Sequence, residues 1–253
     1  MTAARADGAR IVTGARLHAV RARHDGVLVE WDGGRLLARH AFSTLPLTAL
    51  GRVARPAPSA QAAGDAAGLV FRAMVLVYLV HRGGRWTGHD AHYLPGPETP
   101  MTRISEPANY RDSPDDPTDR SVLCAEIPCA VGDATWSAAP DDLARLVQQS
   151  LARVGLPPID LPAEGGVEVR RLPRVYPVYT VGYQQRLAGL SAWADRLAHV
   201  TVLGRLGLFV HDTSHTAMRM AYDAADCLLP GGGFDHAAWA SARERSRRQV
   251  LDD

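Results

Sequence analysis

Between Val200 and Ala225 the chain reads VTVLGRLGLFVHDTSHTAMRMAYDAA. A short β-branched run ends at Gly204 and a loop punctuated by Gly207 follows. A polar cluster, His211-Asp212-Thr213-Ser214, then opens an alanine-rich helix. Such a segment sets a helix amino terminus at the carboxyl end of a strand, where free N–H groups and the positive dipole end favour an electron-rich or anionic ligand atom. Asp212, Thr213 and Ser214 also fit the simpler role of helix caps. Ala217, Ala221, Ala224 and Ala225 allow that helix to lie close to a sheet or a flat ligand.

A strand–loop–helix unit of this kind needs other strands beside it. Leu17, Ala19, Val20, Val27, Val29 and Trp31 alternate with polar residues across His24-Asp25-Gly26, and Asp32-Gly33-Gly34 makes a second turn. Ala41-Phe42-Ser43-Thr44-Leu45 reads as a buried strand leading through Pro46 into a loop. The stretch 56–68 is a linker or a weak helix. Val70–Val80 is a central strand, 95–117 is mostly loop with an extended piece at 101–106, and Ser121–Cys129 is another strand. Leu143, Leu146, Val147, Leu151 and Val154 recur at helical spacing after Pro140, and Gly155 and Pro157 stop that helix. Residues 167–179 read as extended, 183–197 as an amphipathic helix, 200–203 as a short buried strand, and 215–229 and 236–250 as helices. The arginines of the last, Arg243, Arg245, Arg247 and Arg248, read as a solvated face. The pattern predicts a mixed α/β chain.

Composition removes several chemistries. All 28 cationic residues are arginine, so Schiff-base catalysis, lysine-anchored pyridoxal phosphate and a P-loop lysine are excluded. A net charge of +1 gives no electrostatic footprint for nucleic acid. No apolar run reaches the ~20 residues of a membrane span, and MTAARADGAR has no apolar core of a signal peptide. Cys124, Cys129 and Cys227 lack metal-site spacing and read as reduced thiols of a cytoplasmic protein. No metal site is expected.

The string Gly204-Arg205-Leu206-Gly207-Leu208-Phe209, followed by His215-Thr216-Ala217-Met218 and the alanine-rich helix, resembles the carboxyl-terminal flavin segment of a known superfamily. That superfamily contains flavin amine oxidases, protoporphyrinogen-oxidase-like enzymes and UDP-galactopyranose mutases. Phe42–Leu47, Phe71–Val75, Met101–Pro107 and Tyr176–Tyr179 follow in the order it would place them. One departure stands out. The strand–GxGxxG–helix that binds the FAD pyrophosphate is not found: Ile11–Arg16 has one glycine, and Gly231-Gly232-Gly233 follows a helix. The chain resembles the carboxyl-terminal half of such a flavoprotein.

The resemblance implies a partial FAD-binding Rossmann-like domain carrying an inserted mixed-sheet substrate domain. Residues 1–55 would give its β-hairpin and strand, 56–180 the substrate domain, and 181–253 the strand and helices that complete the FAD-binding part. It implies FAD as cofactor, held by Pro46, Gly204, Arg205, Gly207, Thr213, Ser214, His215 and Thr216. Arg103, Glu106, Tyr176 and Tyr179 would bind a small organic substrate, and His211, Arg103 and Tyr179 are the candidates for the chemistry. Four of these have a plainer reading: His211 and His215 can be structural, and Arg103 and Glu106 an ordinary surface ion pair. Tyr176 and Tyr179 flank Pro177, so neither can belong to a regular helix. The implied activity is hydride transfer from the substrate to flavin, in this chain alone or in a subunit completed by a second chain carrying the GxGxxG half or by a homodimer. The competing reading is a cofactor-free descendant, a ligand-binding protein or a non-redox isomerase or cyclase.

Overall fold

The computed structural model describes residues 2–111 and 113–248, and for 246–248 the backbone alone. In chain order the elements are α1 (Thr2–Ala6), β1 (Leu17–Arg23), β2 (Gly26–Trp31), β3 (Gly34–Ala38), β4 (Ala41–Ser43), α2 (Leu47–Val53), β5 (Ala54–Arg55), α3 (Ala60–Ala66), β6 (Val70–Arg82), β7 (Ala91–Tyr93), β8 (Arg103–Ser105) and β9 (Arg120–Cys129). They continue with α4 (Ala134–Ser137), α5 (Pro140–Arg153), β10 (Val167–Val178), α6 (Tyr183–Ala194), β11 (Val200–Val202), α7 (Arg205–Leu208), α8 (Ser214–Asp226) and α9 (His236–Arg248). Strands and helices are mixed as the sequence pattern requires. The chain divides into two compact units, residues 1–70 with 177–253, and residues 71–176.

In the first unit, β3, β2 and β1 form an antiparallel meander that β5 joins in parallel. The β1–β2 turn needs its glycine. Gly26 has φ +144°, and a Cβ there would sit 2.3 Å from the Ala38 carbonyl oxygen of β3. Beside this sheet lie α2, α3 and α6, whose Leu47, Leu50, Ala62, Leu190 and Trp193 are buried. A separate two-stranded parallel sheet pairs β4 with β11, in the register Ala41↔Val200, Phe42↔Thr201 and Ser43↔Val202. Leu203, Met220, Ala224, Cys227, Trp239 and Ala242 form a small core that joins α8 and α9.

In the second unit the five-stranded sheet runs β10-β6-β9-β8-β7. Alternation decides its faces. Val75, Val77 and Leu79 of β6 and Leu123, Ala125 and Ile127 of β9 pack with Leu143, Val147 and Leu151 of α5 in one apolar core. Cys124 and Cys129 lie five apart on β9 and both are buried and unpaired.

Four local expectations change. Pro46 leads into a helix and not a loop: it is the N-cap of α2, whose Leu47 and Leu50 are buried on one face. The strand before it is not buried throughout, because Phe42 is 39% exposed. The glycine-rich stretch after β11 is a single helical turn, α7. Arg243 is no solvated residue, since its Nη1 and Nη2 donate to both carboxylate oxygens of Asp195 at 2.5 and 3.1 Å. Arg245 is exposed, and the side chains of Arg247 and Arg248 lie outside the described residues.

Candidate functional site

Because β4 and β11 are parallel and in register, both chains leave the sheet on the same side. Leu203 N–H donates to the Ser43 carbonyl at 3.0 Å, so Thr44-Leu45-Pro46 and Gly204-Arg205 start from adjacent strand ends. In open parallel sheets, ligands bind outside these carboxyl ends. Pro46, Gly204, Arg205 and Gly207 are thus brought together. Gly204 has φ +82°, and its Cβ position faces Thr44 at 3.8 Å. Gly207 has another reason to be small. A Cβ there would meet Val202 Cγ1 at 2.8 Å, so its bare backbone is what lets α7 close onto the strand pair. Val202 fills the position a Gly207 side chain would take, so the smallness of this residue serves packing. Gly207→Ala should lower stability by about 1–3 kcal/mol, read by urea unfolding, and an unchanged midpoint would show that α7 can shift freely.

The polar cluster after α7 divides its labour in a way the residue types did not reveal. Asp212 is no helix cap. Its side chain is 4% exposed, with Oδ1 accepting from Arg205 Nε at 2.6 Å, while Arg205 Nη2 donates to the Asp212 carbonyl at 2.6 Å. Thr213 is the N-cap of α8 in a reciprocal box: Thr216 N–H donates to Thr213 Oγ1 at 3.4 Å and Thr213 N–H to Thr216 Oγ1 at 2.7 Å. Two of the N–H groups expected to point at a ligand are thereby already engaged. His211, Ser214 and His215 are exposed at this helix end.

Tyr179 stands next to this cluster. Its ring lies 5.1 Å from that of Tyr183 and 5.9 Å from Phe209, and Tyr183 and Phe209 are 5.6 Å apart. Burial first, then Tyr183 and Asp212, pushes the Tyr179 phenol up to about 12. At neutral pH it is a hydrogen-bond donor. Tyr183 and Phe209 were not expected here. Phe209, at φ 55°, is turned in by the left-handed end of α7, which no residue pattern announces.

In the second unit the pairing register places Tyr93, Arg103, Glu126, Cys124 and Tyr78 on the sheet face away from the apolar core. Arg103 donates through both Nε (3.0 Å) and Nη2 to Glu126 Oε1, and its guanidinium lies 5.7 Å over the Tyr93 ring. The expected partner was Glu106, and that is corrected. Glu106 is 1% exposed. Its Oε1 accepts from Trp86 N–H and Ser121 Oγ, and its Oε2 from Thr87 N–H and Asn109 Nδ2. It organises the loops around β9 and does not line a surface. Arg103, for its part, belongs to strand β8, within the extended piece expected at 101–106. Tyr176 is half-buried near the end of β10. Tyr78 is opposite Cys124, and burial pushes that thiol up to about 11, so it is unreactive at neutral pH.

A family description, flavin containing amine oxidoreductase, matches residues 1–229. The chain belongs to that family. Among solved structures, a reduced UDP-galactopyranose mutase matches with TM-score 0.67 at 16% identity, covering 95% of this chain and 52% of its own. A putative protoporphyrinogen oxidase from Exiguobacterium gives TM-score 0.52 at 15% identity, with 93% and 47% covered. A putrescine oxidase variant redesigned in its cofactor binding gives TM-score 0.51 at 16% identity, with 96% and 50% covered. No curated protein matches by sequence. These likenesses show the fold: this family member has the mixed α/β architecture of FAD-dependent oxidoreductases, and it spans about half the length of those solved relatives. Among the described residues no helix is long and apolar enough to cross a membrane.

Does the site fit a flavin? Ser43 Oγ, at the end of β4, and Asp212 Oδ2 are buried without a hydrogen-bond partner, and buried polar atoms are ordinarily satisfied. Both belong to the segments that meet at the carboxyl side of the strand pair. These residues fit the ring-proximal part of the cofactor. No segment of the sequence offers glycines at the spacing that cradles a dinucleotide pyrophosphate.

Proposed function

We propose that residues 1–253 form the ring side of the FAD site and the substrate sheet of an FAD-dependent oxidoreductase, with the pyrophosphate held by a GxGxxG half outside these residues. The observation that supports this reading is the convergence of Pro46, Gly204 and the unsatisfied Ser43 Oγ and Asp212 Oδ2 at the carboxyl ends of two parallel strands, in a member of a flavin-dependent family. Bound flavin would supply the hydride acceptor. The chain's residues would do the rest. The backbone of Pro46, Gly204, Arg205 and Gly207 would border the cofactor. The amino end of α8 at Thr213–Thr216 would favour negative charge near it through its dipole. Tyr179 would donate a hydrogen bond from its neutral phenol, and the exposed His211 would carry a proton. On the substrate sheet, Arg103 held by Glu126, with Tyr176, would orient a small organic molecule. Three buried unpaired cysteines suit a reducing, cytoplasmic setting.

A titration of the purified chain with riboflavin and with FAD tests this. A site that holds only the ring side perturbs the ~450 nm flavin band for both, with affinities within about tenfold of each other, a difference of ~1.4 kcal/mol. FAD binding more than about a hundredfold tighter would show that the pyrophosphate is recognised here and would overturn the half-site reading. No perturbation by either flavin would favour the cofactor-free descendant.

A further inference from the structure

The opposite, amino-terminal end of the β4–β11 pair gathers three histidines. His40 precedes β4, His199 precedes β11, and His236 begins α9. Their backbones are tied, since Ala41 N–H donates to the His199 carbonyl at 2.8 Å. The His40 ring stacks on Phe234 at 4.8 Å and 18° and tilts against Phe42 at 5.1 Å. Its Nε2 is 3.0 Å from Thr201 Oγ1 of β11, while its Nδ1 is buried without a partner. Phe234 also touches His236 and Trp239 edge-on, at 5.2 and 6.3 Å. One imidazole therefore joins β4, β11 and the segment between α8 and α9, and reaches α9 through Phe234.

We propose that this cluster is an acid-sensitive latch: protonation of His40 releases the Leu228–His236 segment and α9 from the β4–β11 pair. A neutral ring needs one hydrogen-bond partner for its N–H, and Thr201 provides it. A second proton on Nδ1 would be a buried donor with no acceptor, attached to a charge. The groups facing His40 do not offset that charge. His199 and His236 are potential cations, and Arg39, next in the chain, lies with its Cβ against Gly232. Asp235 is engaged by the Ala237 and Ala238 N–H groups at the start of α9. Burial, then His199 and His236, holds His40 below the usual imidazole range.

The sign follows from linkage. The folded state binds this proton less readily than the unfolded one, so stability is full above the ordinary imidazole value of ~6.5 and falls as pH drops towards the lower folded value. Both strands have only three residues, about 10 Å of chain, so what frees their amino ends also loosens Thr44–Pro46 and Gly204 at the other. The latch itself does not depend on what binds there.

Hydrogen exchange of the purified chain between pH 7.5 and 5.5, corrected for intrinsic rates, tests it. The opening equilibrium of residues 228–242 and of β4 and β11 should rise by up to about tenfold between pH 6.5 and 5.5, the limit for one proton. His40→Phe keeps the ring stack and should show no such rise. Should that variant fold poorly, His199→Gln with His236→Gln removes the neighbouring imidazoles and should shrink the response. An absent acid response in the natural chain, or the same response in these variants, would overturn the proposal.

Discussion

Replacing Glu106 by alanine is expected to lower the stability of the 71–176 unit by about 3–5 kcal/mol. The carboxylate is almost wholly inaccessible and accepts from four donors: Trp86 N–H at 2.9 Å, Ser121 Oγ at 2.5 Å, Thr87 N–H at 3.2 Å and Asn109 Nδ2 at 3.0 Å. Asn109 in turn donates to the Thr87 and His89 carbonyls at 3.1 and 2.8 Å. One side chain thus joins the 86–89 turn, the turn at Pro107–Tyr110 and the start of β9. Alanine would strand two backbone N–H groups and a hydroxyl away from water, each costing about 1–3 kcal/mol before the structure relaxes. Glu106→Gln keeps the shape and one acceptor but turns an amide NH2 towards donors, so an intermediate loss follows. Urea unfolding reads both variants. A loss under about 1 kcal/mol for alanine would mean that water replaces the carboxylate, and the organising role would fall.

Glu106 also shows where sequence reading stops. It lies three residues from Arg103 and looks like its partner, yet the ion pair forms with Glu126, directly across the β8–β9 ladder. Register, not sequence distance, decides which carboxylate an arginine meets on a sheet. What local chemistry encodes was legible: the Asp25-Gly26 and Asp32-Gly33 turns, the alternation of β6 and β9, and the apolar face of α5 with its Pro140 start. Short elements fixed by tertiary packing were not. The seven residues of α2 carry too little periodicity to declare a helix after Pro46. In α7 the glycines that spell a loop are what permit a helical turn against Val202. The gathering of Pro46 with Gly204 and Arg205 was readable, through resemblance, because strand ends and glycines carry that signal. The Arg205–Asp212 pair was not, since seven residues of irregular chain fix no geometry.

That pair makes the other large prediction. Asp212→Ala should cost about 2–4 kcal/mol, somewhat less than a fully buried pair because the Arg205 side chain remains 28% exposed. The bond from Nε to Oδ1 and the bond from Nη2 to the Asp212 carbonyl close the chain from α7 to the start of α8 into one ring. Losing the carboxylate opens it. A double-mutant cycle with Arg205→Ala isolates the interaction, and a coupling of about 2 kcal/mol or more separates it from a surface pair of ~0–1 kcal/mol. Coupling below about 0.5 kcal/mol would remove the pair from any structural role. The unsatisfied Oδ2 adds a second readout. Asp212→Asn preserves an acceptor for Arg205 and most of the stability, but it can replace Oδ2 with an amide donor. If Oδ2 accepts from bound flavin, riboflavin affinity should fall by about tenfold or more, ~1.4 kcal/mol, while the unfolding midpoint moves little. If affinity and stability fall together, Asp212 acts only by holding the α7–α8 connection, and the contact to flavin must be sought at Ser43.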